Sequence, residues 1–108
     1  MISDIRLKSK IQPSPIGIQE VMMLSPKIYD KYENLKKKDR IAKDIGFIVQ
    51  VVQEILPLLI QKGAVENNIL NLNYNALIPV LTKAIQEQQN IIEKQNMVWS
   101  AINRISKT

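Results

Sequence analysis

The sequence contains neither histidine nor cysteine. Without cysteine the chain cannot form disulfides, and without either residue it cannot build a Cys/His metal cage. Catalysis by a Ser-His-Asp triad or a Cys-His pair is excluded for the same reason. We therefore expect no metal ion and no cofactor, and any covalent chemistry must use another activating base.

Long apolar runs are absent as well. The most apolar stretch, 45–60, is interrupted by Gln50, Gln53, Glu54 and Pro57, which leaves it too short and too polar to span a bilayer. No apolar run follows a basic start, so we expect no signal peptide and no membrane partner. The 108 residues suffice for one domain with a modest core, which oligomerisation would stabilise.

The net charge is +5 at pH 7, and basic residues are concentrated over 36–40, with Lys43 just beyond. Such a cluster is typical of a surface that binds nucleic acid or another polyanion, and also of a solvated loop between two ordered elements. Aromatic residues that would stack on bases do not alternate with these lysines. We therefore expect a loop and no nucleic-acid partner.

A serine and a lysine lie five residues apart at the start of the chain, at Ser3 and Lys8. A serine activated by a lysine is an established alternative to the Ser-His-Asp triad. The lysine must then be neutral part of the time, which burial or a nearby cation such as Arg6 favours and the carboxylate of Asp4 opposes. A serine and a lysine at this spacing occur by chance in most chains, so the spacing alone favours a solvated terminal arm.

Hydrophobic periodicity predicts an α+β fold in which short helices pack with a small antiparallel sheet of two or three strands. Two segments, 69–74 and 26–32, are expected to pair as strands, and Tyr29 and Tyr32 are interpreted as packing residues. Pro57 ends a buried helix. The expected elements are a helix over 17–24, strands over 26–32 and 45–48, a helix over 49–56, a turn at Gly63 and 67–68, and a strand over 69–74.

Residues 75 to about 106 predict one long helix, with Asn75 as its N-cap and Pro79 in the first turn. Its apolar residues repeat every seven positions in three adjacent rows, a face wider than a two-stranded coiled coil needs. The helix could pack on its own domain, but the remaining chain offers too little apolar surface to cover it. We therefore expect self-association, with a core over 1–74 and the helix over 75–108 in one domain.

Two glutamines lie in the central row of this helix, where buried polar residues fix register and oligomeric state. The expected interface residues are Leu81, Ile85, Gln88, Ile92, Gln95, Trp99 and Ile102.

The segment SDIRLK at 3–8 resembles the SD-x-R-x-K opening of the self-cleaving intramolecular chaperone domains of phage endosialidase tailspikes. Similar domains occur in other viral fibres and appendages and in the myelin regulatory factor of animals. Further segments resemble the family in the same order: IGFIVQ at 45–50, EILP at 54–57, NYNALIPVL at 73–81 and KAIQE at 83–87. The chain departs from the family at Val49, usually alanine, and at Val51, usually acidic.

The resemblance implies a homotrimer with a trimeric coiled coil, which assists the folding of an upstream fibre segment of the same polypeptide and then releases itself. Ser3 would attack the carbonyl of Ile2 with Lys8 as general base, and Asp4 and Arg6 would support the site. The ester formed by cleavage between Ile2 and Ser3 would then be hydrolysed. Such a protein is a virion precursor that acts in the host cytoplasm.

Only two residues precede Ser3, so we expect the chain to be a piece of a longer viral protein. Lys8 acts either within its own chain or from a neighbouring subunit. If the acidic residue replaced by Val51 orients the lysine in relatives, that support is missing here. If it only solvates the surface, Val51 faces a partner subunit.

Two other functions fit the same residues. One is a non-catalytic trimerisation module that caps a fibre and leaves Ser3 and Lys8 idle. The other is the processing domain of a trimeric transcription factor, which would require a DNA-binding region upstream and a membrane segment downstream.

Overall fold

The structure is a computed structural model that describes residues 3–32, 40–62 and 69–106. Its class is α+β, as the periodicity predicts, and within the described residues it has short 3-10 turns at Ile5–Leu7, Pro57–Leu59 and Tyr74–Ala76. The helices and strands, in chain order, are α1 (Ile18–Met23), β1 (Lys27–Tyr32), β2 (Arg40–Gly46), α2 (Val49–Ile55), β3 (Ile60–Lys62), β4 (Leu70–Leu72) and α3 (Leu77–Ser106).

The four strands form two separate antiparallel sheets, β1 with β2 and β3 with β4. Ile28 lies opposite Ile45 in the first sheet, and Ile60 lies opposite Leu72 in the second. The predicted pairing of 69–74 with 26–32 is therefore wrong. The seven-residue strand β2 pairs with all six residues of β1, whereas β4 has three residues and pairs with β3, which is equally short.

The basic stretch is in part a strand, because β2 begins at Arg40 and includes Lys43. Both strands of this sheet are largely exposed, so charged side chains can remain in water while the backbone hydrogen bonds form. The predicted strand over 45–48 thus begins five residues earlier and ends at Gly46. Two expected features lie outside the described residues: the rest of the expected loop, 36–39, and the expected turn at Gly63 and 67–68.

The core is a small cluster formed by α2, the turn after it and the start of α3. Val52 and Leu56 lie one helical turn apart and are about 1% exposed. Pro57 follows the C-cap and opens a 3-10 turn that buries Leu59. Five buried residues form the cluster: Val52, Leu56, Leu59, Leu77 and Val80. Each contributes roughly 1.5–3 kcal/mol on burial, so we expect the single chain to be marginally stable.

Helix α3 contains 30 residues and differs along its length. Its first turns contribute Leu77, Val80 and Ala84 to the interior, and α1 packs against it. Every residue from 88 to 102 is exposed. Within the described parts of the chain, no helix is long and apolar enough to cross a membrane.

The N-terminal boundary of α3 differs from the prediction. Asn75 is not the N-cap, because it lies inside the 3-10 turn that precedes the helix. Asn73 caps that turn instead, and its Oδ1 accepts the N–H of Ala76 at 3.4 Å. Pro79 lies in the first turn of α3 as predicted, and the helix ends at Ser106 as predicted.

Candidate functional site

The N-terminal segment forms one 3-10 turn whose geometry depends on Asp4. The Asp4 side chain accepts the backbone N–H of Arg6 at 2.8 Å. The Asp4 carbonyl accepts the N–H of Leu7, and the Ile5 carbonyl accepts the N–H of Lys8, both at 3.1 Å. Asp4 is therefore the residue that closes the chain into a turn between Ser3 and Lys8.

Arg6 binds the same carboxylate with two nitrogens. Its Nε donates to Asp4 Oδ1 at 3.1 Å, and its terminal nitrogen donates to Oδ2 at 2.8 Å. This hydrogen bonding from Arg6 lowers the pKa of Asp4 and, in return, Asp4 raises the pKa of Arg6. The charges of Asp4 and Arg6 therefore compensate each other within the turn.

Ser3 and Lys8, the expected nucleophile and base, flank this turn and are both exposed. No hydrogen bond joins them in the described structure, and Ile2 lies outside the described residues. A 3-10 turn advances about 2 Å per residue, against roughly 3.3 Å for extended chain. The turn therefore shortens the path between the two side chains, and a lysine of ordinary length can return toward the serine.

We call residues 3–15 the N-terminal arm. All of them are exposed in the single chain, and three apolar side chains of the arm, Ile5, Leu7 and Ile11, are 69%, 70% and 67% exposed. Within the described residues, nothing covers the side chain of Lys8. In the single chain, Ser3 and Lys8 are thus both exposed and are not joined to each other.

Two segments that carry the family resemblance, 45–50 and 73–81, come together at Gly46. Gly46 is buried, and a Cβ there would lie 2.5 Å from the hydroxyl of Tyr29 and 2.6 Å from that of Tyr74. The Tyr74 hydroxyl accepts the N–H of Phe47 at 3.2 Å, and the two rings stack with centroids 6.2 Å apart. Burial first, and then the neighbouring Tyr74, raise the pKa of Tyr29.

This tyrosine pair was not predicted as a unit. Tyr29 packs as expected, whereas Tyr32 is 51% exposed and does not fit the interpretation of a packing residue. The available signal in the sequence was that Gly46 is followed directly by an aromatic residue. This pattern indicates that side chains from elsewhere pack closely against the backbone at Gly46. The sequence could not indicate which side chains approach it.

The two positions that depart from the family lie in α2. Val49 is half-buried at the first residue of the helix, and Val51 is exposed on its outer side. An acidic residue at the position of Val51 would therefore stand in solvent in the single chain.

The residues expected at the trimer interface all lie on the surface of α3. Leu81, Ile85 and Trp99 are 43%, 65% and 64% exposed, and Ile92 and Ile102 are 41% and 50% exposed. Gln88 and Gln95 are exposed in the same stripe. A shallow groove of about 340 Å³ runs along this face and is lined by Ile91, Lys94, Gln95, Val98, Trp99 and Ile102.

Within the residues described, no group of three acidic side chains comes close enough to hold a metal ion. The chemistry available at the N-terminal arm is thus that of a hydroxyl, an amine and one Asp–Arg ion pair.

Comparison with known proteins matches residues 3–60 to a family of peptidases described as the chaperone of endosialidase. The chain is also similar to the long tail fibre protein Gp37 of Enterobacteria phage M1, with 32% identity over 97% of this chain and 43% of the relative. The corresponding protein of Enterobacteria phage K3 is 33% identical over 78% of this chain and 7% of its own length. The chain thus spans less than half the length of these curated relatives.

The family match covers more than half of the chain and includes both the SDIRLK segment and Gly46. The chain belongs to the chaperone of endosialidase family.

Proposed function

We propose that this chain is a trimeric intramolecular chaperone that assists the folding of an upstream fibre segment and then detaches by cleaving the bond between Ile2 and Ser3. The observation that carries this proposal is the Ser3–Lys8 segment, which is intact, closed into a turn by Asp4 and presented on an exposed arm. The family match begins at the same serine, which is the residue that cleavage would turn into a new N-terminus.

The exposed face of α3 supports the trimer. Apolar side chains cover this face from Leu81 to Ile102, although every residue from 88 to 102 is exposed in the single chain. A monomer would leave this large apolar surface in water, which is unusual for a soluble chain. Three adjacent apolar rows suit an assembly of more than two helices, and two further copies of this chain are the occupants we propose.

Trimerisation would also complete the catalytic site. A neighbouring copy can cover the apolar side chains of the N-terminal arm and remove Lys8 from water, and burial favours the neutral amine that a general base requires. Cleavage would then follow assembly, because a single chain leaves the arm exposed.

The proposed reaction proceeds in two steps. The neutral amine of Lys8 takes the proton from the Ser3 hydroxyl, whose oxygen attacks the Ile2 carbonyl carbon. The bond from that carbon to the Ser3 nitrogen breaks, the nitrogen leaves as a protonated amine, and an ester joins Ile2 to Ser3 Oγ. Water then hydrolyses the ester, leaving a carboxylate at Ile2 and a free hydroxyl at Ser3.

The chaperone role has a physical basis in the folding of fibres. Interlocked three-chain fibres depend on contacts between distant parts of three polypeptides, and closing such contacts is slow and entropically costly. A domain that first holds three chains in register lowers that cost. After the domain has been removed, the folded fibre cannot easily unfold along the route by which it folded. The fibre is therefore kinetically stable. The relatives are long tail fibre proteins, which agrees with a fibre as the passenger.

The test is a comparison of Ser3→Ala with Ser9→Ala in the chain extended by its natural upstream residues. Ser9 is an exposed serine of the same arm, so it controls for the loss of a hydroxyl. We expect Ser3→Ala to leave the polypeptide uncut on a denaturing gel, while Ser9→Ala is cut like the wild type. Cleavage of Ser3→Ala at the wild-type rate would contradict the proposal.

A non-catalytic trimerisation module is the second candidate. The observation that favours it is that Ser3 and Lys8 are exposed and share no hydrogen bond in the described structure. This candidate predicts that the wild-type extended chain stays uncut although light scattering shows a trimer.

A further inference from the structure

The N-terminal arm is first tied to the rest of the protein at Gly17. All residues from 3 to 15 are exposed, whereas Gly17 is buried and its neighbours Ile16 and Ile18 are half-buried. Helix α1 begins at the next residue and packs against α3. The direction in which the arm leaves the core is therefore set at this junction.

A carboxylate from α3 makes the junction. Glu87 Oε1 accepts the backbone N–H of Ile18 at 3.1 Å, a contact between residues that lie 69 positions apart. Gly17 is so close to the same carboxylate that a Cβ on it would overlap Glu87 Oε1. Glu20, in the first turn of α1, accepts the N–H of Gly17 at 3.4 Å. A hydrogen bond to a charged acceptor is stronger than one between neutral groups, so Glu87 links α3 strongly to the start of α1, three residues after the arm.

Glu87 also lies at the boundary between the two parts of α3. Ala84 is the last buried residue of the helix, and the fully exposed stretch begins at 88. Glu87 therefore lies in the turn between two parts of α3. The part before it packs on the core of its own chain, and the part after it carries the proposed trimer face. A rigid helix transmits orientation over this distance, because successive turns are joined by backbone hydrogen bonds.

We propose that Glu87 is a positioning residue for self-cleavage, which fixes the N-terminal arm relative to the trimer face of α3. It touches neither Ser3 nor Lys8 and acts through the N–H of Ile18 and the contact with Gly17. This inference rests on the proposed function, because it assigns a role in that same reaction.

The first experiment measures cleavage rates of Glu87 variants in the chain with its natural upstream residues. Glu87→Ala removes the acceptor, and we expect cleavage to slow roughly tenfold or more while the trimer persists. Glu87→Gln keeps an oxygen at the same position and is expected to recover most of the rate. Glu93→Ala is the matched control, because Glu93 is an exposed glutamate of α3 that accepts a hydrogen bond only from Gln89, at 3.3 Å.

The second experiment uses the close approach of Gly17. A methyl group in Gly17→Ala would displace the Glu87 carboxylate, so this variant is expected to cleave as slowly as Glu87→Ala. Once Glu87 is alanine, the methyl group no longer meets the carboxylate. The two substitutions together are therefore expected to slow cleavage less than the product of their separate effects, which is the behaviour of residues that act through one contact.

The outcomes separate this inference from the function on which it rests. A wild-type chain that stays uncut overturns both. A wild type that is cut, beside a Glu87→Ala variant that is cut equally fast, overturns the positioning role alone. The role is also overturned if Glu87→Ala loses cleavage only in proportion to lost trimer, as measured by light scattering in the uncleavable Ser3→Ala background. Slow cleavage in an intact trimer, with rescue by Glu87→Gln, supports it.

Discussion

The backbone at Gly46 passes between two tyrosine hydroxyls, from Tyr29 in β1 and Tyr74 in the turn before α3. A side chain at this position would displace both hydroxyls, and Tyr74 would then lose its hydrogen bond from Phe47. This contact ties the β1–β2 sheet to the start of the long helix. It is also where two family-like segments that are distant in sequence meet.

The Tyr29→Phe variant is expected to lose less stability than the wild type in alkaline solution. Burial and the neighbouring Tyr74 raise the pKa of Tyr29, so the folded protein keeps the phenol proton to a higher pH than the unfolded chain does. The resulting stabilisation is complete below the unfolded value of about 10 and is lost as the pH rises through the folded-state pKa. Urea midpoints measured from about pH 7 to pH 11 would show a wild-type decrease that Tyr29→Phe reduces.

The control for this experiment is Tyr32→Phe, because Tyr32 is an exposed tyrosine of the same strand. It is expected to keep the wild-type alkaline decrease. At neutral pH, Tyr29→Phe loses the hydrogen bond with Tyr74 and about 0.5–1.5 kcal/mol of stability. Parallel decreases for the wild type and Tyr29→Phe would rule out the titration of Tyr29 as a cause.

Single residues could be predicted from the sequence only where their partners are close along the chain. Asp4 and Arg6 are two positions apart and form an ion pair, whereas their supporting role in catalysis stays a prediction. Other partners are distant along the chain and meet only because the fold brings them together, as Glu87 meets Ile18 and Tyr29 meets Tyr74. The roles of Ser3 and Lys8 stay predictions, because both residues are exposed and share no hydrogen bond in the described structure.

The long helix α3 combines two environments in one uninterrupted element. Its first turns bury Val80 and Ala84 in the core of the same chain, whereas the later turns expose Ile92 and Trp99. The seven-residue repeat continues across both parts, so periodicity predicts the helix and its end but not the point where its own core stops covering it.

Trp99 offers a direct readout of this exposed face, because it is the only tryptophan in the sequence and is 64% exposed in the single chain. In the proposed trimer it is buried between helices. We expect its fluorescence to be blue-shifted at high protein concentration and to shift to the red on dilution. Ile92→Lys places a charge in the same stripe and is expected to abolish the blue shift, because an unpaired buried charge disfavours association.

Asn90→Lys is the matched control for Ile92→Lys, because residue 90 lies on the opposite side of the helix by the 3.6-residue period. It adds the same charge to α3 and is expected to leave the blue shift unchanged. Emission that depends neither on concentration nor on Ile92→Lys would contradict association through this face.

Strand pairing shows a second limit at the scale of elements. The sequence predicts β1 and β4 by alternation, but β3 has only three residues and follows a continuous apolar stretch. Too few residues are available there to distinguish a strand from the end of a helix. With β3 unrecognised, the sequence does not offer the true partner of β4, and the predicted pairing with β1 is wrong.

The whole molecule extends over 72 × 40 × 21 Å around a core of few buried residues. Both the N-terminal arm and the second half of α3 are exposed in one chain. In the proposed trimer, assembly covers both of these parts at once. It thereby both stabilises the domain and prepares its release. Under this proposal, the domain remains attached until three copies have met.

The most direct test of this account is the intact mass of the extended chain, with Lys8→Arg beside the wild type. Arginine keeps the positive charge and a similar length but does not give up its proton at neutral pH, so it cannot act as a base. We expect the wild type to yield a fragment that begins at Ser3, and Lys8→Arg to remain uncut in an intact trimer. A Lys8→Arg chain that releases the same fragment at the wild-type rate would contradict the serine–lysine mechanism.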